Sequence, residues 1–192
     1  MGRTRRIFKD DILDAAERVI ERLGSAGLSI DAVAQEAGVS KSRVVYDHKS
    51  KSGLLEALVA RQMDREMIDV EEAVERHSHT PHPELFARIE LAGRSLTDTD
   101  RAIVMAVSAS MSSAEQLQDR IREWKQIDMD AMQAGPRPEA AVMAYLALTG
   151  MFCLDLFGHP QWSASQRNTI LDGVRAIYES LPPNTPPILP KA

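Results

Sequence analysis

The stretch "LSIDAVAQEAGVSKSRVVYDHKSK" (28–51) constrains this chain more than any other, because two short helical stripes meet in it at one glycine. Ile30, Val33, Ala34 and Ala37 fall at i, i+3, i+4 and i+7, one face of a helix, and Ser29 is placed to cap its start. Gly38 breaks that helix, and Ser40 can cap a second one running to about Asp47. Two short helices joined by a tight glycine turn make a helix-turn-helix. Ala34 is small where the second helix must come close, Gly38 permits positive φ in the turn, and Val44 is apolar where the second helix packs back. Lys41, Ser42, Arg43, Tyr46 and Asp47 are then predicted on the open side.

Such a helix fits the DNA major groove, where Arg or Lys pairs with guanine N7 and O6. Arg43, Lys41 and Ser42 are the candidate base readers. Ser29, Tyr46, Lys49 and Lys51 are candidates for phosphate, and the helix start at Ser40 brings its positive dipole end to the same task. Arg3, Arg5 and Arg6 form a basic arm for the backbone or the minor groove. Charge supports a local site and not a general polyanion binder. The chain carries a net −5, yet residues 1–51 hold ten Lys/Arg against eight acids.

The remainder reads as helix throughout. Ile12, Ala16, Val19, Ile20 and Leu23 stripe a first helix that Gly24 and Gly27 stop. After the two short helices, Ser50 caps a long fourth reaching the 70s, and Leu85, Ile89 and Ala92 mark a fifth. Capping-box spacings at Thr97/Asp100, Ser113/Gln116 and Ser163/Gln166 open the sixth, seventh and ninth. The eighth, from about Glu139 to Phe157, is apolar nearly all round, as a helix buried on all sides would be. One face can then pack into its own domain and the other against a second subunit. No period-two strand appears, so the fold class is all-α with about nine helices. The predicted domains are a helix-turn-helix domain over 1–51, a helical domain over 52–182 and a Pro-rich tail over 183–192.

"ILDAAERVIERLGSAGLSIDAVAQEAGVSKSRVVYDHKSKSGLLEALV" (12–59) resembles the N-terminal domain of the tetracycline-repressor (TetR) family of bacterial regulators. Ala15, Ala16, Gly24, Ser29, Ala34, Ala37, Gly38, Val39, Ser40, Lys41, Lys51, Leu54 and Leu55 carry the pattern. The resemblance implies a homodimeric repressor that binds a pseudo-palindromic operator in double-stranded DNA and is released by a small-molecule effector. It implies a four-helix interface built from helices eight and nine of two subunits, with Ala141, Tyr145, Leu148, Phe152, Ile170, Val174 and Ile177 as candidates. It places an effector pocket among helices five to eight, with Phe86, Met105, Met111, Trp124, Met129, Met143 and Cys153 as candidates, although ordinary core is the plainer reading of each. Tyr46 stands one place after the tyrosine of most members, as in the branch reading Leu-Leu-Tyr-His-Phe, which carries a phosphate contact to it. Asp47 and His48 replace that branch's His and Phe; Asp47 would repel phosphate or accept from a cytosine amine.

Other functions find little support. His77, His79 and His82 could together bind zinc or nickel, but no cysteine or placed carboxylate joins them, and a solvated loop is the plainer reading. Cys153, in the most apolar helix, reads as an inert buried thiol, and a single cysteine fits a reducing cytoplasm. Helix eight barely reaches spanning length and lacks basic flanks apart from Arg137, which argues against a membrane. No catalytic spacing or phosphate-binding glycine loop appears, so neither an enzyme nor a cofactor is expected. A DNA-bound activator or architectural factor without an effector would look the same in sequence. A small metal-binding protein or enzyme would have to use the His77–His82 loop.

Overall fold

The structure, a computed structural model, describes residues 9–110, 115–158 and 160–182. Among them it has nine helices and no strand: α1 (Lys9–Gly27), α2 (Ile30–Ala37), α3 (Lys41–His48), α4 (Lys51–Arg76), α5 (Pro83–Leu91), α6 (Asp98–Ser110), α7 (Glu115–Ala134), α8 (Pro138–Leu156) and α9 (Ala164–Ser180). Contacts divide them into two compact units. One holds α1–α3, α4 as far as Asp64, and α6; the other holds α4 from Arg65, α5, α7 from Asp119, α8 and α9. This division differs from a boundary at residue 51. Leu54, Leu55 and Leu58 at the start of α4 are buried, and α6 packs on α1, so both belong with the helix-turn-helix.

In the first unit the α1 stripe behaves as its period demands. Ile12, Ala15, Ala16, Val19 and Ile20 are buried, as are Leu28, Val33 and Ala34 of the next segment. Leu23 departs from the stripe and is exposed, because Gly24 at φ 68° breaks the helix just after it. Polar ties fix the helices around α1. Arg18 and Arg22 both grip Glu36 of α2 at 2.9 Å, and these two hydrogen bonds hold its carboxyl below the usual range. Arg61 of α4 reaches Asp14 and Glu17 at 2.6 and 2.7 Å.

The second unit is built on α8, which buries Ala140, Ala141, Val142, Ala144, Tyr145, Leu148 and Met151 against Leu85 and Ile89 of α5, Met132 of α7, and Leu171, Val174 and Tyr178 of α9. Two polar groups are threaded through this core. Arg88 pairs with buried Asp128, whose other oxygen accepts from the Tyr145 hydroxyl at 2.6 Å. Burial, then that carboxylate, pushes the Tyr145 phenol up. Arg167, 5% exposed, donates to Asp155 at 2.8 Å and to the Ala92 carbonyl at 3.0 Å.

His82 corrects the reading of a solvated histidine loop. It is 1% exposed and caps α5. Nδ1 lies 3.4 Å from the Leu85 N–H and Nε2 3.1 Å from the Met132 carbonyl oxygen. His77 instead pairs with Glu90 at 2.8 Å, while His79 is exposed. No His, Cys, Asp and Glu grouping suited to a metal occurs among the described residues.

Candidate nucleic-acid interface

Each end of the two short helices is fixed by a local bond. Ser29 Oγ accepts the Ala32 N–H at 3.1 Å and Ser40 Oγ accepts the Arg43 N–H at 3.2 Å, so both hydroxyls serve as caps. Between the helices Gly38 lies at φ 67°, ψ 33°; its N–H bonds Gln35 O while Val39 N–H bonds Ala34 O at 3.0 Å. That double bond pattern ends a helix in a left-handed residue, which glycine adopts without a Cβ penalty. Ser50 Oγ caps α4 through the Gly53 N–H at 3.1 Å.

The faces of α3 follow from these anchors. Val44 is fully buried and His48 is 7% exposed one turn later, so this edge seats the helix. Burial pushes the His48 imidazole pKa down, with Lys9 adding to the effect and Asp47 opposing it. Lys41, Ser42, Arg43 and Tyr46 are exposed on the outer side, Tyr46 at 80%. Lys41 reaches Asp31 of α2 at 2.9 Å, an ion pair between two open side chains that is cheap to exchange for a phosphate. Lys49 and Lys51 are exposed at the α3–α4 junction. Arg3, Arg5 and Arg6 lie outside the described residues.

Asp47 does not sit as predicted. Its side chain is only 3% exposed, turned back to Arg43, whose Nε stands 3.0 Å from Oδ2. The spacing of the pair was readable as i, i+4, but burial of the carboxylate was not. The α3–α4 junction was also missed. Ser50 N–H bonds His48 O at 2.6 Å across Lys49 at φ 60°, ψ −48°, a three-residue turn that is strained for any side-chain-bearing residue. Gly53 follows because a Cβ there would lie 2.2 Å from the same carbonyl oxygen.

The remaining candidates are scattered through the second unit or lie elsewhere. Phe86 and Met129 pack against its core, Trp124 is half-buried beneath the Lys125 ammonium at 4.0 Å, and Met143 and Cys153 are exposed. Met105 is exposed in α6 of the first unit, and Met111 lies outside the described residues. The exposed Cys153 corrects its reading as a buried thiol. Of the interface candidates, Ala141, Tyr145, Leu148 and Val174 are buried within the single chain, which corrects their placement at a subunit contact. A helix apolar all round does not disclose in sequence which face is which. Phe152 is exposed and Ile170 and Ile177 are half-buried. Met143, Leu146, Gly150 and Cys153 of α8 and Phe157 just past its end, spaced by threes and fours, form one exposed stripe. Met143 and Leu146 border an open groove of about 510 Å³ with Ile177, Ser180 and Leu181. By length and composition α8 could cross a membrane, yet it buries a core face and the ion-paired Asp155.

Residues 12–58 match the family model described as bacterial regulatory proteins, tetR family, and residues 85–179 match the tetracyclin repressor-like C-terminal domain. No curated protein sequence matches significantly. Among solved structures, one described as a TetR-family transcriptional regulator from Mesorhizobium loti aligns with TM-score 0.73 at 17% identity, over 89% of this chain and 95% of its own. A transcriptional regulator from Saccharomonospora viridis, in complex with choline, aligns with TM-score 0.65 at 20% identity, over 86% and 94%. NalD of Pseudomonas aeruginosa, the secondary repressor of the MexAB-OprM multidrug efflux pump, aligns with TM-score 0.61 at 16% identity, over 86% and 92%.

Proposed function

The chain belongs to the tetR family of bacterial transcriptional regulators, and from that premise we propose that it is a cytoplasmic repressor whose homodimer binds a pseudo-palindromic operator and lets go when a small molecule binds. The observation that carries this reading is the outer face of α3. Lys41, Ser42, Arg43 and Tyr46 stand exposed on a helix whose opposite edge is locked by Val44. Arg43 reads a base, with Lys41 and Ser42 beside it. Tyr46, Lys49 and Lys51 hold phosphates, and Arg5 and Arg6 extend the grip along the backbone. Ser29 and Ser40 act mainly by capping, which fixes where the cations stand.

A second copy of the chain covers the outer faces of α8 and α9. Met143, Leu146, Cys153 and Phe157 leave a large apolar stripe to water, with Gly150 among them and Gly173 exposed on α9, where another helix can come close. Twofold pairing sets two recognition helices on successive major grooves. An effector held by the second unit acts only through unequal affinity for the bound and released states. The S. viridis relative, solved in complex with choline, supports a small organic molecule as the effector. Effector release is read by adding candidate small organic cations to the protein–operator complex.

Two substitutions test the division of labour on α3 and α4. Arg43→Ala is expected to lower operator affinity by about 1–3 kcal/mol and relax preference at one base pair. Lys51→Ala is expected to weaken all sequences alike and reduce the salt slope by about one. Fluorescence anisotropy on operator and random DNA at several salt concentrations separates them. Unchanged binding in both variants would remove α3 and the start of α4 from the interface.

A further inference from the structure

Asp47 is disfavoured where it stands on three counts. It lies in the last turn of α3, where the helix carries its negative end. It belongs to the helix that, on the reading above, meets a polyanion. Its side chain is 3% exposed, and burying a carboxylate is costly without a partner. The cation that offsets these costs is Arg43, one turn back, with Nε 3.0 Å from Asp47 Oδ2. That oxygen is buried and accepts no aligned hydrogen bond, so the pair is close but incompletely formed. Turning the Arg43 Nε–H onto Oδ2 is the nearest way to complete it.

The guanidinium has two hydrogen-bonding edges of different use. Bidentate pairing with guanine N7 and O6 takes the terminal nitrogens, Nη1 and Nη2, or Nε with one of them. A carboxylate on Nε selects the first mode, in which Nη1 and Nη2 meet the base. The centroid of the Tyr46 ring lies 6.0 Å from Arg43 Cζ, a second neighbour of the same side chain. We propose that Asp47 is a positioning residue for base readout, holding Arg43 by Nε so that its terminal nitrogens meet one guanine. This rests on α3 being the DNA-reading helix. It assigns to a negative charge a part in binding DNA, through orientation and at some expense in general affinity.

The sign of one measurement separates this from a bystander carboxylate. If Asp47 merely repels phosphate, Asp47→Ala tightens binding to operator and random DNA alike. If it positions Arg43, the same change leaves random DNA bound as well or better while the operator loses its advantage. Ordering a long, freely rotating side chain costs roughly three- to tenfold in affinity, which is the expected fall in the specificity ratio. Full-length protein carrying Asp47→Ala or Asp47→Asn is titrated with the operator, with the operator changed at the guanine read by Arg43, and with random DNA. Asp47→Asn, of the same shape and still able to accept from Nε–H, is expected to fall between wild type and Asp47→Ala. In an Arg43→Ala background Asp47→Ala is expected to leave the ratio unmoved. An unchanged ratio in the single variants, or an equal fall in the Arg43→Ala background, overturns the proposal. Failure of the wild type to prefer any sequence overturns the DNA reading itself, a result visible before any variant is made.

Discussion

Arg167→Met is expected to destabilise the second unit by about 3–5 kcal/mol, the scale for removing one partner of a buried ion pair. Arg167 and Asp155 are 5% and 9% exposed, and their 2.8 Å bond joins the start of α9 to the end of α8. The other terminal nitrogen, Nη1, donates to Ala92 O just after α5, so one side chain ties three helices. Without the cation, the Asp155 carboxylate loses its Arg167 bond in the last turn of α8, where the helix end is also negative. Replacing both residues by apolar ones (Arg167→Met with Asp155→Leu) is expected to recover most of the loss, since the burial penalty then disappears with the charges. Both tryptophans, Trp124 and Trp162, lie in this unit, so their fluorescence during urea unfolding follows it selectively. A single variant that loses less than about 1 kcal/mol, the worth of a surface pair, would contradict the account.

Gly53→Ala is expected to cost about 3 kcal/mol in the first unit, against the usual gain of about 1 kcal/mol for this change inside an open helix. The added Cβ would lie 2.2 Å from the His48 carbonyl oxygen, and backbone on both sides leaves nothing flexible to yield. That carbonyl also accepts from Ser50 N–H in the turn at Lys49, so relief of the clash disturbs the turn that places Lys49 and Lys51. Operator affinity is expected to fall with stability. Lys49→Gly at the same turn moves stability the other way, by about 1 kcal/mol, because glycine accepts the positive φ without strain. It nevertheless removes a phosphate-seeking charge, so stability and affinity part company. Hydrogen exchange of the α3 and α4 amides reads both variants. An alanine variant as protected as the wild type would contradict the close approach.

What could be read in the sequence was what local chemistry decides. Ser29, Ser40 and Ser50 cap the helices expected of them, and Thr97 with Asp100 and Ser163 with Gln166 form their reciprocal bonds. Gly38 takes the left-handed turn because only a few residues can. What escaped was decided by distant packing. The α8 sequence is apolar in every direction, so nothing in it tells Tyr145, which faces Asp128 in the core, from Cys153, which faces out. Three histidines in one loop look alike, yet Met132 O and Leu85 N–H claim only His82. In the candidate site the outer cations of α3 were legible from period alone. The inward turn of Asp47 was not, because its partner Arg43 was assigned to DNA.

Selection from random DNA with the full-length protein tests the central claim most directly. A dimer presenting two α3 helices predicts one enriched sequence with twofold symmetry, its half-sites centred about 34–36 Å apart, or 10–10.5 base pairs, or a multiple of that spacing. Enrichment of nothing at low salt, or of a sequence without a repeated half-site, would contradict it.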